Sequence, residues 1–511
     1  MINRTKPYWP LILLPAIIKF ILPFIVQSPV FELQRDEFLY YQQGQHLALG
    51  YMENPPLLAY MAAISSWLGG SVFWIKFWPA IIGSCTVIVT SLLAAALGGK
   101  KFAQLLAGFA VCCGAYVRTH ALFQPNILDI FSWTLAVYFI VRYINEQQTK
   151  FLYWFAISIA LGFWGKYSVL FIAAGIIGGL LLTQQRKIFA EKKLYTAALI
   201  ALLIILPNVW WQYAHNWPLV HHMQELQDTQ LKFGNPVDFL KDQVMMLFPV
   251  LIIWIAGLIW FIRNKTWRFL AFSYFIILLL LILGRGKSYY ALGIYPMLLA
   301  AGAVAWEQWS QKRIWIRYVI VVFIIGFTYL ILPLLLPTRT PEKLAAFYKK
   351  IDMKNKWEDQ KDHPLPQDFA DMLGWKELTA KTEHAFYAGL PDTARAATII
   401  YCDHYGQAGA LKLYGEHDEF KNKVITDNGS FLLWIPDSLS FKHLVWIVEK
   451  MPAKDNKVFS YFESYTVMDS VTDPLSRQFG NKIIFFQNAK PGAVDSFNIM
   501  ISKEKKTFTR K

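Results

Sequence analysis

Apolar runs of about twenty residues recur along the chain as far as Pro337. A helix of that length crosses the roughly 30 Å hydrocarbon layer of a bilayer. Inside that layer no water is available, so every backbone N–H and C=O must be paired within the chain. Runs of this kind therefore have to become helices packed against one another. Charged residues make up 17% of the chain, against roughly a quarter in a soluble domain. The pattern predicts helices over approximately 9–27, 72–97, 102–117, 127–145, 151–165, 168–183, 194–212, 244–262, 269–283, 291–308 and 316–336. The first run has no small-residue cleavage site after it and is expected to be a retained helix.

Eleven spans would leave the two ends of this body on opposite faces, and the charges between the spans set the direction. Lys100, Lys101, Arg142, Lys150, Arg186, Lys187, Lys192, Lys193, Arg263, Lys265, Arg268, Lys312, Arg313 and Arg317 fall in one alternating set of loops. The other set carries Glu32, Asp36, Glu37, Glu53, Glu225, Asp228, Asp238 and Asp242, beside the bases Arg35, Arg118, Lys166, Lys232, Lys241, Arg285 and Lys287. Cytoplasmic loops hold the excess of Lys and Arg. The N-terminus is therefore expected inside and the C-terminal tail outside. The same distribution explains the net charge of +15 without nucleic acid as a partner. Cys85, Cys112, Cys113 and Cys402 have neither metal nor disulfide spacing.

Two outer loops, 28–71 and 213–243, are too long to be simple turns. In the first, the double proline Pro55-Pro56 separates two stretches with apolar stripes. These predict short amphipathic helices lying in the membrane interface. After Pro337 the composition becomes that of an ordinary soluble domain. β-like runs at 397–402, 430–435, 444–449, 465–469 and 482–487 accompany helical stretches such as 342–350 and 406–414. The expected fold is an all-α polytopic membrane domain over 1–337, with about eleven transmembrane helices plus interfacial ones. An extracytoplasmic α/β domain follows over 338–511.

Several short motifs fall in order on the outer face. They are Asp36-Glu37, Asn54-Pro55-Pro56, Gln124-Pro125 through Asp129, Gly165-Lys166-Tyr167, and Gly286-Lys287-Ser288-Tyr289-Tyr290 with Tyr295-Pro296. The tail adds Tyr405-Gly406-Gln407-Ala408-Gly409-Ala410-Leu411, ending at Tyr414-Gly415. Together they resemble the membrane glycosyltransferases with the C-type fold. The likeness is closest to bacterial relatives of the protein O-mannosyltransferases and of the aminoarabinose lipid A transferase. Those relatives often place a lysine directly before the double proline, where this chain has Asn54 preceded by Glu53. The resemblance implies an inverting transfer of one sugar from a polyprenyl-phosphate donor to a lipid, glycan or protein acceptor. It implies a bacterial inner membrane location, with the reaction at the outer face.

That chemistry needs a base for the acceptor hydroxyl, cations for the departing phosphate and an apolar groove for the polyprenyl chain. Asp36 is the candidate general base, because a carboxylate at the membrane surface stands where hydroxyl and lipid headgroup meet. Glu37 either orients the acceptor or faces water. Asp129 suits acceptor binding or pairing with a cation, and equally suits the positive end of a helix. Lys166, Arg285 and Lys287 could converge on one phosphate, or snorkel to headgroups. Tyr289 and Tyr290, with Tyr40 and Tyr41, could stack on sugar or belong to an aromatic belt. Glu53 with His215, His221 and His222 has the residue types for a divalent cation. Its irregular spacing, beside Trp210, Trp211 and Trp217, favours interfacial polar contacts. A transporter or flippase of a lipid-linked glycan is the alternative class. It predicts internal symmetry and mid-membrane charge, for which Lys19 is the clearest candidate.

Overall fold

The computed structural model describes residues 5–229 and 231–510. Each of the eleven expected segments contains helix. Among the described residues, six helices are long and apolar enough to cross a membrane, or eight if each of two bent pairs is one span. Leu57–Trp67, Lys101–Val111, Lys150–Gly165 and Arg268–Leu283 are apolar but shorter. The helix expected over 102–117 is broken into Lys101–Val111 and Ala115–Thr119. Gly114 makes the break with a φ of +60°, and a Cβ there would meet the Met246 carbonyl at 2.6 Å. A break frees carbonyls, and Lys19 takes two of them. Its ammonium donates to Val111 O at 3.3 Å and to Tyr116 O at 2.8 Å.

The body is closely packed at its centre. Gly257 and Gly302 let helices Leu251–Arg263 and Tyr295–Trp309 touch backbone to backbone, and a Cβ on either would lie 1.9 Å from a carbonyl of the other helix. Small residues at such crossings are how apolar helices gain contact where lipid offers no hydrophobic drive. Lys192–Ala214 and Trp315–Leu335 instead present exposed apolar side chains such as Leu202, Leu206, Val322 and Leu330.

Beyond the last long helix the chain forms a mixed five-stranded sheet. Its strands are β1 Thr398–Cys402, β2 Val424–Ile425, β3 His443–Val448, β4 Phe462–Ser470 and β5 Lys482–Ala489. The order is β2-β1-β3-β5-β4. β1 is parallel to β2 and to β3, while β5 is antiparallel to β3 and to β4. Helices Trp375–Ala388, Tyr405–Tyr414 and Ala493–Thr507 accompany the sheet. The strand expected at 430–435 is instead part of a 3-10 helix, Gly429–Trp434. Gly429 has a φ of +64°, and the Ser430 amide is held by the Glu53 carboxylate at 2.7 Å. Both constraints oppose extension.

The two regions share one core. Phe38, Leu39 and Leu58 of the first long loop are buried in the same cluster as Trp375, Ala408 and Leu411 of the α/β region. Helix Arg35–Gln43 therefore packs against protein, where a helix lying in the membrane interface was expected. Helix Leu57–Trp67 follows the double proline as expected. Polar ties cross the same seam: Lys376 N to Glu32 at 2.9 Å, Asn216 to the Thr507 carbonyl at 2.8 Å, and an ion pair between Arg118 and Asp368.

Candidate active site

Gln34 starts helix Arg35–Gln43 with a capping box. Its side chain accepts from the Asp36 amide at 2.9 Å, and the Glu37 carboxylate accepts from the Gln34 amide at 2.8 Å. This places Asp36 and Glu37 in the first turn, where the free N–H groups favour negative charge. The two side chains then diverge. Glu37 is completely buried. It pairs with Lys76 of helix Val72–Ala96 at 2.6 Å and accepts from the Phe123 amide at 2.7 Å. Lys76 also donates to Ala121 O at 3.2 Å. Glu37 thus fastens its helix to the body and has no free face to orient an acceptor, which corrects the role expected for it.

Asp36 turns the other way, with 29% of its side chain exposed. Its Oδ1 accepts from the Tyr405 hydroxyl at 2.7 Å, with Arg35 Nε at 3.7 Å. Oδ2 has only a long contact, 3.5 Å, from the Gln124 amide. That contact begins a polar chain. Asn126 donates to Gln124 at 3.2 Å, and Lys166 donates to Asn126 at 2.6 Å. The Lys166 ammonium lies over the rings of Tyr290 and Tyr289, at 4.2 and 5.4 Å from their centroids. Burial pushes its pKa down to about 8, with Asp129 opposing and Lys287 reinforcing the shift.

Asp129 is buried in the first turn of helix Asn126–Glu146. One oxygen accepts from Ser168 at 2.8 Å, and the other has no hydrogen-bond partner. Lys287 sits on the tight turn after helix Arg268–Leu283. Its ammonium makes no hydrogen bond among the described residues, and burial lowers its pKa while Asp36 opposes that shift. Tyr289, in turn, lies within electrostatic reach of Tyr40 and Asp36. Asp36, Tyr40, Lys166, Lys287, Tyr289 and Tyr290 are therefore brought to one place, with Asp129 behind Lys166.

Other expected members are elsewhere. Arg285, at a φ of +50°, points to the neighbouring loop and donates to Lys232 O at 3.0 Å. It lines a separate cavity of about 230 Å³ with Asp242, Phe239 and Leu281, which Lys287 also borders. Arg285 is thus turned away from Lys166, while Lys287 lies within electrostatic reach of it. Glu53 is committed to the α/β region, accepting from Ser430 N and Oγ at 2.7 and 2.5 Å. His215 stacks on Trp211 and His221 contacts Phe508. Glu53, His215, His221 and His222 thus do not gather, and among the described residues no group of three or more His, Cys, Asp or Glu could hold a metal ion. Tyr405 and Lys76 were missed as individual site residues. The Gln34-to-Glu37 capping spacing was a readable signal for Glu37; Tyr405 stood only within a motif.

An apolar helical body, with a carboxylate and two lysines at one end of it and an α/β region docked over them, has the architecture of the C-type fold. Comparison with known proteins agrees. Residues 53–211 match the family model described as dolichyl-phosphate-mannose-protein mannosyltransferase, a stretch that includes Asp129 and Lys166. The lipid A galacturonosyltransferase RgtD of Rhizobium johnstonii is 23% identical over 42% of this chain and 46% of its own length. An uncharacterized Aquifex aeolicus protein is 23% identical over 52% of this chain and 55% of its own. The chain therefore spans about half the length of the curated relatives it matches. The crystal structure of ArnT from Cupriavidus metallidurans bound to undecaprenyl phosphate superposes with a TM-score of 0.61. It is 11% identical and covers 94% of this chain and 97% of that one.

Proposed function

We propose that this protein is an integral membrane glycosyltransferase. It moves a sugar from a polyprenyl-phosphate donor to a lipid, glycan or protein acceptor at the outer face of a bacterial inner membrane. The observation that carries this reading is the juxtaposition of Asp36, half-exposed with Oδ2 nearly free, and two cations, Lys287 and Lys166, among Tyr40, Tyr289 and Tyr290. RgtD by name acts on lipid A, and the ArnT structure holds undecaprenyl phosphate; both fit this donor and acceptor class.

Asp36 Oδ2 takes the proton of the acceptor hydroxyl as its oxygen bonds to the anomeric carbon. The bond from that carbon to the phosphate oxygen breaks, and its electron pair leaves with the polyprenyl phosphate. Lys287 and Lys166 offset the negative charge that develops on the phosphate. Attack opposite the leaving group inverts the anomeric centre. The outer-face placement rests on the loop charges, since the positive-inside rule puts Asp36 and Lys287 outside.

The transporter alternative gains nothing from Lys19, whose ammonium is taken up by two carbonyls at a helix break. The test is transfer in proteoliposomes, with undecaprenyl-phosphate-linked galacturonic acid and lipid A as the first donor and acceptor pair and other undecaprenyl-phosphate sugars after it. Wild type is expected to transfer, and Asp36→Asn to insert and fold but lose at least about a hundredfold in rate. Full transfer by Asp36→Asn would overturn the assignment of the base.

A further inference from the structure

The α/β region touches Asp36 directly through the side chain of Tyr405. Helix Tyr405–Tyr414 begins with His404, whose Nδ1 accepts from the Gly406 amide at 3.1 Å and lies 3.4 Å from that of Gln407. His404 Nε2 lies 3.3 Å from the Glu449 carboxylate without hydrogen-bond geometry. The helix lies directly on helix Arg35–Gln43. A Cβ at Gly406 would meet Arg35 Cγ at 2.7 Å, and one at Gly409 would meet Phe38 Cβ at 2.7 Å. Two glycines spaced one helical turn apart thus set how closely Tyr405 approaches Asp36. Its phenol is half-buried and donates to Oδ1 at 2.7 Å, the shortest contact that carboxylate makes.

We propose that Tyr405 is a positioning residue for Asp36: its phenol fixes Oδ1, so that Oδ2 is the oxygen presented to the acceptor hydroxyl. The α/β region is then a wall of the reaction chamber. This rests on the reading of Asp36 as the base. A free carboxylate rotates about its last side-chain bond and shares its lone pairs among many directions. A short hydrogen bond on one oxygen removes that freedom, and the geometry gained is realised in the transition state. The titratable and charged groups around Asp36 are Arg35, Tyr40, Lys287, Tyr289, Asp371 and Tyr405.

Tyr405→Phe removes one hydroxyl and keeps the packing. Two measurements follow, with Asp36→Asn in parallel. The first is kcat and KM in the proteoliposome assay, with the donor and acceptor pair that wild type uses. The expected result is a fall in kcat of about tenfold, the worth of one hydrogen bond to a charged group, with KM little changed. The second needs no substrate. At one fixed pH, carbodiimide labelling of the Asp36 peptide, read by mass spectrometry, reports how freely a reagent reaches this carboxylate. Loss of the Tyr405 hydroxyl frees Oδ1 and is expected to raise the labelling rate. An unchanged labelling rate together with unchanged kcat overturns the proposal. A higher kcat with a lower acceptor KM also overturns it, because Tyr405 would then be occupying the acceptor's seat. If Asp36→Asn is fully active while the labelling rate of Tyr405→Phe still rises, the base assignment fails but the Tyr405–Asp36 coupling stands.

Discussion

Substituting Glu37 by Gln separates the two neighbouring carboxylates by their work. Four hydrogen bonds converge on the Glu37 carboxylate: Lys76 reaches both oxygens at 2.7 and 2.6 Å, the Gln34 amide one, and the Phe123 amide the other. A glutamine offers one acceptor oxygen, so one backbone N–H must face an NH2 group. The Lys76 ammonium also loses its counter-charge in a site where Glu37 is 0% exposed. Removing one partner of a buried ion pair costs about 3–5 kcal/mol, because the other charge is left without compensation. An unsatisfied buried amide costs about 1–3 kcal/mol on its own. The two overlap, and about 3–5 kcal/mol is the expected total. The assay is equilibrium unfolding in mixed detergent micelles, with transfer activity measured per folded molecule. Glu37→Gln is expected to unfold at much lower denaturant and to keep its turnover while folded. The double variant Glu37→Gln with Lys76→Met should recover part of the loss, since it removes the stranded charge. Wild-type stability with abolished turnover would refute this reasoning and put Glu37 into the chemistry.

The alkaline limb of the rate profile should report Lys166. Its pKa is lowered to about 8 by burial, so the cation is present below that pH and lost as pH rises through it. Transfer should fall above pH 8 in wild type, and Lys166→Arg, which stays charged, should carry activity to higher pH; an identical alkaline limb in both would exclude Lys166 from phosphate binding. Lys19→Met should destabilise the helical body by about 1–3 kcal/mol, since the Val111 carbonyl loses the ammonium while that of Tyr116 keeps the His120 amide at 3.1 Å, and turnover per folded molecule is expected to be unchanged. Loss of activity without loss of stability would return weight to a transport role for this mid-span charge.

The helices were legible because a bilayer imposes both length and apolar content, and every expected segment contains one. Four strands were legible for a similar reason: runs such as Ile399-Ile400 and Ile483-Ile484-Phe485-Phe486 are rich in β-formers and buried in the sheet. The run at 430–435 has the same apolar character and failed. There Gly429 turns the chain and Glu53, nearly four hundred residues earlier in sequence, captures Ser430. No local pattern contains that contact. The site shows the same division. Asp36, Lys166 and Lys287 stand out as charges on one face of an apolar body. Arg285, two residues from Lys287, looks equivalent in sequence, yet its left-handed backbone sends it to the carbonyl of Lys232. Glu37 differs from Asp36 only by its place in the capping box. Tyr405 is one tyrosine among 25 until the sheet and its helix are docked.

A base at a membrane surface faces conflicting demands. Deep burial would protonate a carboxylate, because the charged form pays the desolvation. Full exposure would leave it mobile and hydrated, unable to hold one oxygen toward an acceptor. Helix Arg35–Gln43 resolves the conflict by dividing two adjacent acids. Glu37 goes fully into the body, where Lys76 and two amides meet its charge and lock the helix in place. That anchoring lets Asp36 remain at a partly open surface without losing its orientation. The remaining restraint comes from the opposite side, through Tyr405, and from the body, through Gln124. Neither region alone contains the whole set, and the shared core around Phe38 and Trp375 is what brings the set together. Packing at the seam is thus coupled to the geometry of Asp36: loosening the seam withdraws the Tyr405 hydroxyl from Oδ1.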